Sequence, residues 1–199
     1  MMRINRRDIL FSAFVVAAVP RAATGQQRRT SLPLIRAARL QIGVTTAYDP
    51  AYSPLAFPGG DVPRHKGVCT DVVIRAYRDA FGIDLQALVN VDMKRAFAAY
   101  PKRWGLRTTD RNIDHRRVPN LQTYLTRVGA QRPLAEHWQA GDIFTCLVGG
   151  TLPHIGIVSD RRTGLGQPLV IHNIGQGTRE EDALFDHKLT GHYRFRLDV

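Results

Sequence analysis

The chain has 199 residues, 44% of them apolar and 23% charged, and carries a formal net charge of +11. That length allows one ordinary domain with a self-sufficient core, and the composition excludes collagen-like, low-complexity and intrinsically disordered classes. No repeat at a fixed period occurs, and no CxxC, HExxH, G-x-S-x-G, S-x-x-K, GxGxxG or Walker-type loop, which removes the common zinc, serine-nucleophile and nucleotide signatures.

The start, MMRINRRDILFSAFVVAAVPRAATGQ, has a basic head, an apolar run over residues 9–19 and small residues over 22–25. This is the three-part layout of an export signal, and the apolar run is shorter than the roughly 20 residues that a membrane-spanning helix needs. The stretch NRRDIL resembles a twin-arginine signal. Residues 1–25 are therefore expected to be cleaved on the way to the periplasm or cell exterior, without stable membrane insertion afterwards, and residues 26–32 read as a polar leader. Removal of the first 25 residues takes away four arginines and one aspartate, so the remainder stays basic. Of the 28 basic residues 24 are arginines spread along the chain with no run longer than two. That spread reads as a solvated surface rather than a nucleic-acid stripe, although it favours anionic polymers and acidic peptides as partners.

From residue 33 onward the pattern is that of one domain. SLPLIRAARLQIG places Leu34, Ile35, Ala38 and Ile42 at helical spacing, with Ser31 as cap and Gly43 as stop. Residues 45–67 contain Pro50, Pro54, Pro58, Pro63 and Gly59-Gly60, an ordered loop. From Cys69 the residues Val72, Val73, Ala76, Tyr77, Ala80 and Phe81 share a helical face, ended by Gly82. Leu85, Leu88, Val89, Met93, Ala96, Phe97 and Tyr100 predict a third helix closed by Pro101. After the polar stretch WGLRTTDRNIDHRRVPN comes a short helix with Asn120 as cap and Leu121, Tyr124, Leu125 and Val128 inward. Beyond Gly141 the segments DIFTCLV, HIGIVS, PLVIHNI and HYRFRL are short, apolar and β-branched, separated by turn residues. Helices first and strands after, with connections too short for crossover helices, predict an α+β fold with helices packed on a small antiparallel sheet.

Cys69 sits on the apolar face of its helix, where a small buried hydrophobe is natural. It also sits in that helix's first turn, where unpaired amides and the positive dipole end favour a thiolate. Both readings stand on position alone. The strands offer a base: His154, Gly156 and Val158 share one face of HIGIVS, and Gly156 leaves space for a helix end to approach. In VIHN, His172 and Asn173 point to opposite faces, so only one of them can orient His154.

The order AARLQIG, Tyr48, a Gly-rich loop, GVCTDVV on a helix, GDIF on a strand, HIGIVSD on the next and VIHN on the one after resembles the NlpC/P60 branch of papain-like cysteine peptidases. GVCTDVVIRAY, NIDHRRVPNLQ, HIGIVSD and VIHNIG closely resemble a bacterial family described as domain of unknown function 1287, placed within that superfamily. The resemblance runs from about Leu34 to the C-terminus and implies a single NlpC/P60-like domain, here over 33–199, with a helical and loop insertion around 84–140. It implies Cys69 as nucleophile, His154 as base and His172, or alternatively Asn173, as orienting group. It further implies a cysteine hydrolase of amide bonds acting on cell-wall peptides, without cofactor or metal. An ion pair with His154 and the helix terminus would then lower the Cys69 thiol from about 8.5 to below 7.5, and Cys69 would alkylate ahead of Cys146 near neutral pH. The backbone N–H of Cys69 would donate to the oxyanion, with Tyr48, Tyr52 and His65 as candidates for a second donor.

Three further expectations concern residues outside this trio. Cys146, on the strand beside His154, is either core or a disulfide partner for Cys69. Asp110, Asp114 and His115 lack a second histidine at ligand spacing, so a polar loop is preferred to a metal site. Asp114, His115, Arg116 and Asn120 are instead expected to line the cleft, with Arg116 and Arg117 meeting carboxylates of an acidic peptide. Two readings compete with a hydrolase: a non-catalytic wall- or ligand-binding module on the same scaffold, and an interaction protein held by a Cys69–Cys146 disulfide.

Overall fold

A computed structural model describes residues 31–195. The export signal expected over 1–25 lies outside the described residues. Helix α1 covers residues 31–39, α2 Cys69–Phe81, α3 Leu85–Arg95 and α4 Val118–Arg127. Two short strands, β1 (Ala47–Tyr48) and β2 (Lys66–Gly67), pair in parallel. Six more form one antiparallel sheet: β3 (Gln131–Arg132), β4 (Ile143–Val148), β5 (Leu152–Arg162), β6 (Pro168–Asn173), β7 (Thr178–Glu181) and β8 (Lys188–Tyr193). Their order is β3-β8-β4-β5-β6-β7, so the architecture is α+β with an antiparallel sheet.

The sheet has an apolar cluster on each side, as strand alternation requires. Ile155, Ile157 and Ile171 join the helices, packing with Leu34, Ile35, Val72, Val73, Ala76, Leu121 and Leu125. The intervening residues Phe144, Cys146, Val158 and Val170 form a second cluster with Trp138 and Leu184. Each fully buried Leu or Ile contributes roughly 1.5–3 kcal/mol of transfer free energy. The helix-side cluster, with many such residues, is the main source of cohesion.

Several element ends differ from the sequence reading. The first helix stops at residue 39; i→i+3 turns carry the chain to Gly43 at φ 78°, and Ile42 is exposed rather than inward. The third helix ends at Arg95, because Ala96 leaves the helical region (φ −137°, ψ 43°). A 3-10 turn, Phe97–Ala99, then brings the Tyr100 hydroxyl to Asp92 at 2.8 Å. The fourth helix starts at Val118 with Arg117 as cap, since Pro119 suits a first turn. Asn120 is therefore no cap, and its side chain donates instead to the Asp114 carbonyl at 3.0 Å. The last strand, Lys188–Tyr193, starts before the HYRFRL segment and leaves Arg194 and Phe195 outside it.

Candidate functional site

The N-terminus of α2 is held by a chain of charges. Asp71, at the third helical position, accepts the Val68 amide at 2.7 Å, as an acidic residue in a first turn should. Arg116 grips Asp71 with two bonds, Nε to Oδ1 at 3.0 Å and Nη2 to Oδ2 at 2.9 Å. The same guanidinium donates to the carbonyls of Ala51 and Asp49, while Thr70 donates to the Arg116 carbonyl at 3.1 Å. Loop 49–51, the 3-10 turn Asp114–Arg116 and the start of α2 are thereby one unit. The pairing of β1 with β2 sets Tyr48 beside Gly67.

Cys69 is the first residue of α2 and 4% exposed. Its sulfur lies within hydrogen-bonding reach of three amides, those of Ile155, Thr70 and Cys69 itself, and of the Tyr48 hydroxyl. The Ile155 contact has a topological cause. Pairing between β5 and β6 begins at Ile157–Ile171 and does not continue toward the start of β5. At that gap in the ladder the Ile155 amide meets the Cys69 sulfur at the start of α2, and Asn173 Nδ2 donates to the Gly67 carbonyl at 3.1 Å.

On the two strands flanking that gap stand the imidazoles. His154 Nε2 and His172 Nδ1 are 2.8 Å apart, and His172 Nε2 is 2.8 Å from Glu181 Oε1 on β7. Of the two orienting candidates, His172 meets His154, whereas Asn173 is spent on Gly67 and the Gly175 amide. Both rings sit near Phe144, with centroids 6.2 Å away. Gly156 serves this packing and not a helix end: a Cβ there would lie 2.6 Å from Phe144 Cε1 and 2.9 Å from His172 Cβ.

The protonation of the site departs from the sequence expectation. Burial pushes the Cys69 thiol up to about 12; the Ile155 amide opposes this, Asp71 adds to it, and the Thr70 and Cys69 amides oppose it further. Burial takes His154 down to about 3, with His172 and His187 acting in the same direction. His172 is also lowered, by burial, against the pull of Glu181. The resting site is thus a neutral thiol and neutral imidazoles, not the ion pair that the helix terminus alone would give.

Cys146 is buried in the second cluster, and burial raises its thiol to about 11. Both cysteines are free. Asp114, His115, Arg116 and Asn120 are all buried, at 1%, 2%, 6% and 0% exposure. Arg116 is committed to Asp71, and Asp114 accepts the Asp110 amide at 2.5 Å; these side chains build the wall rather than line an open cleft. Arg117 stacks on Trp104, its guanidinium 4.1 Å from the ring centroid. Of the three loop residues considered as oxyanion donors, Tyr48 is the one at the sulfur. Tyr52 is bonded to Asn112 at 2.8 Å, and the His65 carbonyl accepts the Thr46 and Ala47 amides. No group of three His, Cys, Asp or Glu able to hold a metal, and no helix long and apolar enough to cross a membrane, occurs among the described residues.

Glu181 was not legible in the sequence. It lies in TREE, a strand with no apolar residue; the available signal was an acidic residue shortly after the VIHN strand, within reach of a hairpin return. The pairing Val170–Glu181 and His172–Arg179 puts Glu181 on the imidazole side, diagonal to His172. Glu180 points the other way and binds Arg39 and Ser159 on the helix side.

The family model described as Domain of unknown function (DUF1287) matches residues 35–195. The Escherichia coli (strain K12) protein named "Uncharacterized protein YijF" is 51% identical over 181 residues, which cover 89% of this chain and 88% of that protein. The matched stretch includes Cys69, His154, His172 and Glu181, and the chain belongs to the DUF1287 family.

Proposed function

We propose that the chain is a cysteine-dependent amide hydrolase of the NlpC/P60-like, papain-like kind, exported from the bacterial cell and acting on cell-wall peptides. The observation that carries this reading is the bonded series Glu181, His172, His154. An ionised carboxylate only accepts, so the proton of a neutral His172 resides on Nε2. Its Nδ1 is then an acceptor, which requires His154 to donate from Nε2. The lone pair of His154 is left on Nδ1, available as a base. The series does for His154 what a carboxylate does for the histidine of a serine-type triad.

The proposed reaction proceeds from the neutral pair. As Cys69 Sγ attacks the amide carbon, His154 Nδ1 takes the thiol proton, the S–C bond forms and the carbonyl π pair moves to oxygen. The oxyanion accepts from the Cys69 amide and the Tyr48 hydroxyl. Collapse breaks the C–N bond, and the departing amine takes the proton from His154. Water, deprotonated by the same nitrogen, then cleaves the thioester and returns the proton to sulfur. The Ile155 amide at the Cys69 sulfur supports this reading, since Ile155 is the residue after His154.

One observation favours a second reading, a non-catalytic binding module: Cys69 is buried and its thiol is raised to about 12. Incubating the mature protein and its Cys69→Ala variant with a muropeptide digest separates the two. A hydrolase releases new amine and carboxyl ends that the variant does not; a binder retains the peptides unaltered in both forms.

A further inference from the structure

Consecutive residues of β6 serve the two halves of the candidate site. Alternation along the strand puts Ile171 and Asn173 on the helix side, and Val170 and His172 on the side of Phe144. His172 there meets His154. Asn173 is fully buried, and both ends of its amide are engaged: Nδ2 donates to the Gly67 carbonyl at 3.1 Å, and Oδ1 accepts the Gly175 amide at 3.1 Å. Gly67 is two residues before Cys69. Its carbonyl also accepts the Asp49 amide at 3.1 Å, so one oxygen joins β6, the residue after Tyr48 and the approach to α2. The turn after β6 is seated on the stretch that leads into β1. The Thr178 amide donates to the Thr45 carbonyl at 2.8 Å, and a Cβ on Gly177 would lie 2.7 Å from that oxygen.

We propose that Asn173 is a positioning residue that sets Cys69, through Gly67, in register with the imidazole series that the neighbouring His172 helps to build. The inference rests on the hydrolase reading and names what joins its two halves. A buried amide with donor and acceptor both engaged has a single orientation. The Gly67 carbonyl, and with it the first turn of α2, is thereby placed relative to β6 and not by helix packing alone. Misplacing a reacting atom by about 1 Å costs on the order of 10²-fold in rate. Asn173, read from the sequence as an alternative partner of the base, thus acts on the nucleophile instead.

The test compares the mature, 15N-labelled protein with Asn173→Ala and Asn173→Ser. The Ile155 amide faces the Cys69 sulfur and has no ladder partner on β6, so its hydrogen exchange reports how closely Cys69 is seated. The Val158 amide, bonded to the Asp142 carbonyl at 2.8 Å, is the control. In both variants Ile155 is expected to exchange about tenfold faster or more, with Val158 unaltered. On a muropeptide, kcat is expected to fall about 10²-fold with KM within about threefold of the parent. An unchanged Ile155, an equal rise at both amides, or failure of both variants to fold overturns the assignment. Faster exchange at Ile155 alone, in a protein whose muropeptide products do not depend on Cys69, leaves the tether standing and removes the hydrolase. Products that depend on Cys69 while kcat is indifferent to Asn173→Ala remove the positioning role and leave the hydrolase.

Discussion

Glu181 carries a requirement that neither imidazole can meet for itself, since each ring could hold its proton on either nitrogen and only an obligate acceptor at one end breaks the tie. Glu181→Gln keeps the shape and destroys the obligation, because an amide can donate as well as accept. The variant is expected to lower kcat/KM for a muropeptide by about 10²-fold or more, by analogy with the size of general-base contributions. Its Tm should stay within a few degrees of the parent, as the Glu181 side chain is 38% exposed; measuring kinetics and melting on one preparation checks both. A fall in Tm with unaltered kcat/KM would make the carboxylate a structural group.

Titration of the buried histidines gives a second expectation at the same scale. His154 and His115 are held down to about 3 and about 4, mainly by burial, against about 6.5 in the unfolded chain. Below 6.5 the unfolded chain binds protons that the folded chain refuses, so stability falls as pH drops from about 6.5 toward 4. Tm at pH 4.5 is expected to lie several degrees below that at pH 7.5, given about 2–4 °C per kcal/mol at this size. His115→Gln, which cannot titrate, should flatten the slope. Cys69 itself follows the same physics: neutral and enclosed at rest, it is expected to react with iodoacetamide at pH 7 no faster than a free thiol.

Among elements, the start of α2 depends on a buried ion pair that joins it to the loop before it and to the turn Asp114–Arg116. Removing one partner leaves a buried charge, so Arg116→Ala is expected to cost about 3–5 kcal/mol in denaturant unfolding. Replacing both, Asp71→Leu with Arg116→Met, should cost less than the single change. Gly156 governs the strand side. Ala there meets the Phe144 ring and His172 at contact distances no Cβ tolerates, so Gly156→Ala should cost about 1–3 kcal/mol and displace the imidazole series.

Elements whose burial is periodic were readable. Val72, Val73, Ala76 and Tyr77 announced α2, and the alternation in HIGIVS announced β5 with His154 and Gly156 on one face. Helix ends were not, because they are set by contacts beyond the local pattern: Asp92, in the last turn of α3, accepts from both Tyr100 and Arg127, which lie past its end. β7 escaped notice because both of its sides bind polar groups, Glu180 with Arg39 and Glu181 with His172. The cysteine's neighbourhood was partly readable. A helix start was evident; the burial that reverses its effect on the thiol depends on how the start of α2 packs on β5 and β6, which no local pattern encodes.

For the whole molecule, the sheet holds two environments apart. The helix side supplies cohesion and carries Cys69, whose sulfur reaches the Ile155 amide on β5, and the opposite side, with Phe144, carries the imidazole series. Export is part of the proposal. A chain expressed with its first 25 residues intact in a bacterial host is expected in the periplasmic fraction with a new N-terminus near Gly25, read by terminal sequencing. The most direct test of the account is mass-spectrometric comparison of muropeptides treated with the mature protein, with Cys69→Ala and with Glu181→Gln. New amide-cleavage products are expected from the first, none from the second and a slowed yield from the third; equal product from the mature protein and Cys69→Ala, or none from the mature protein, would rule out the hydrolase.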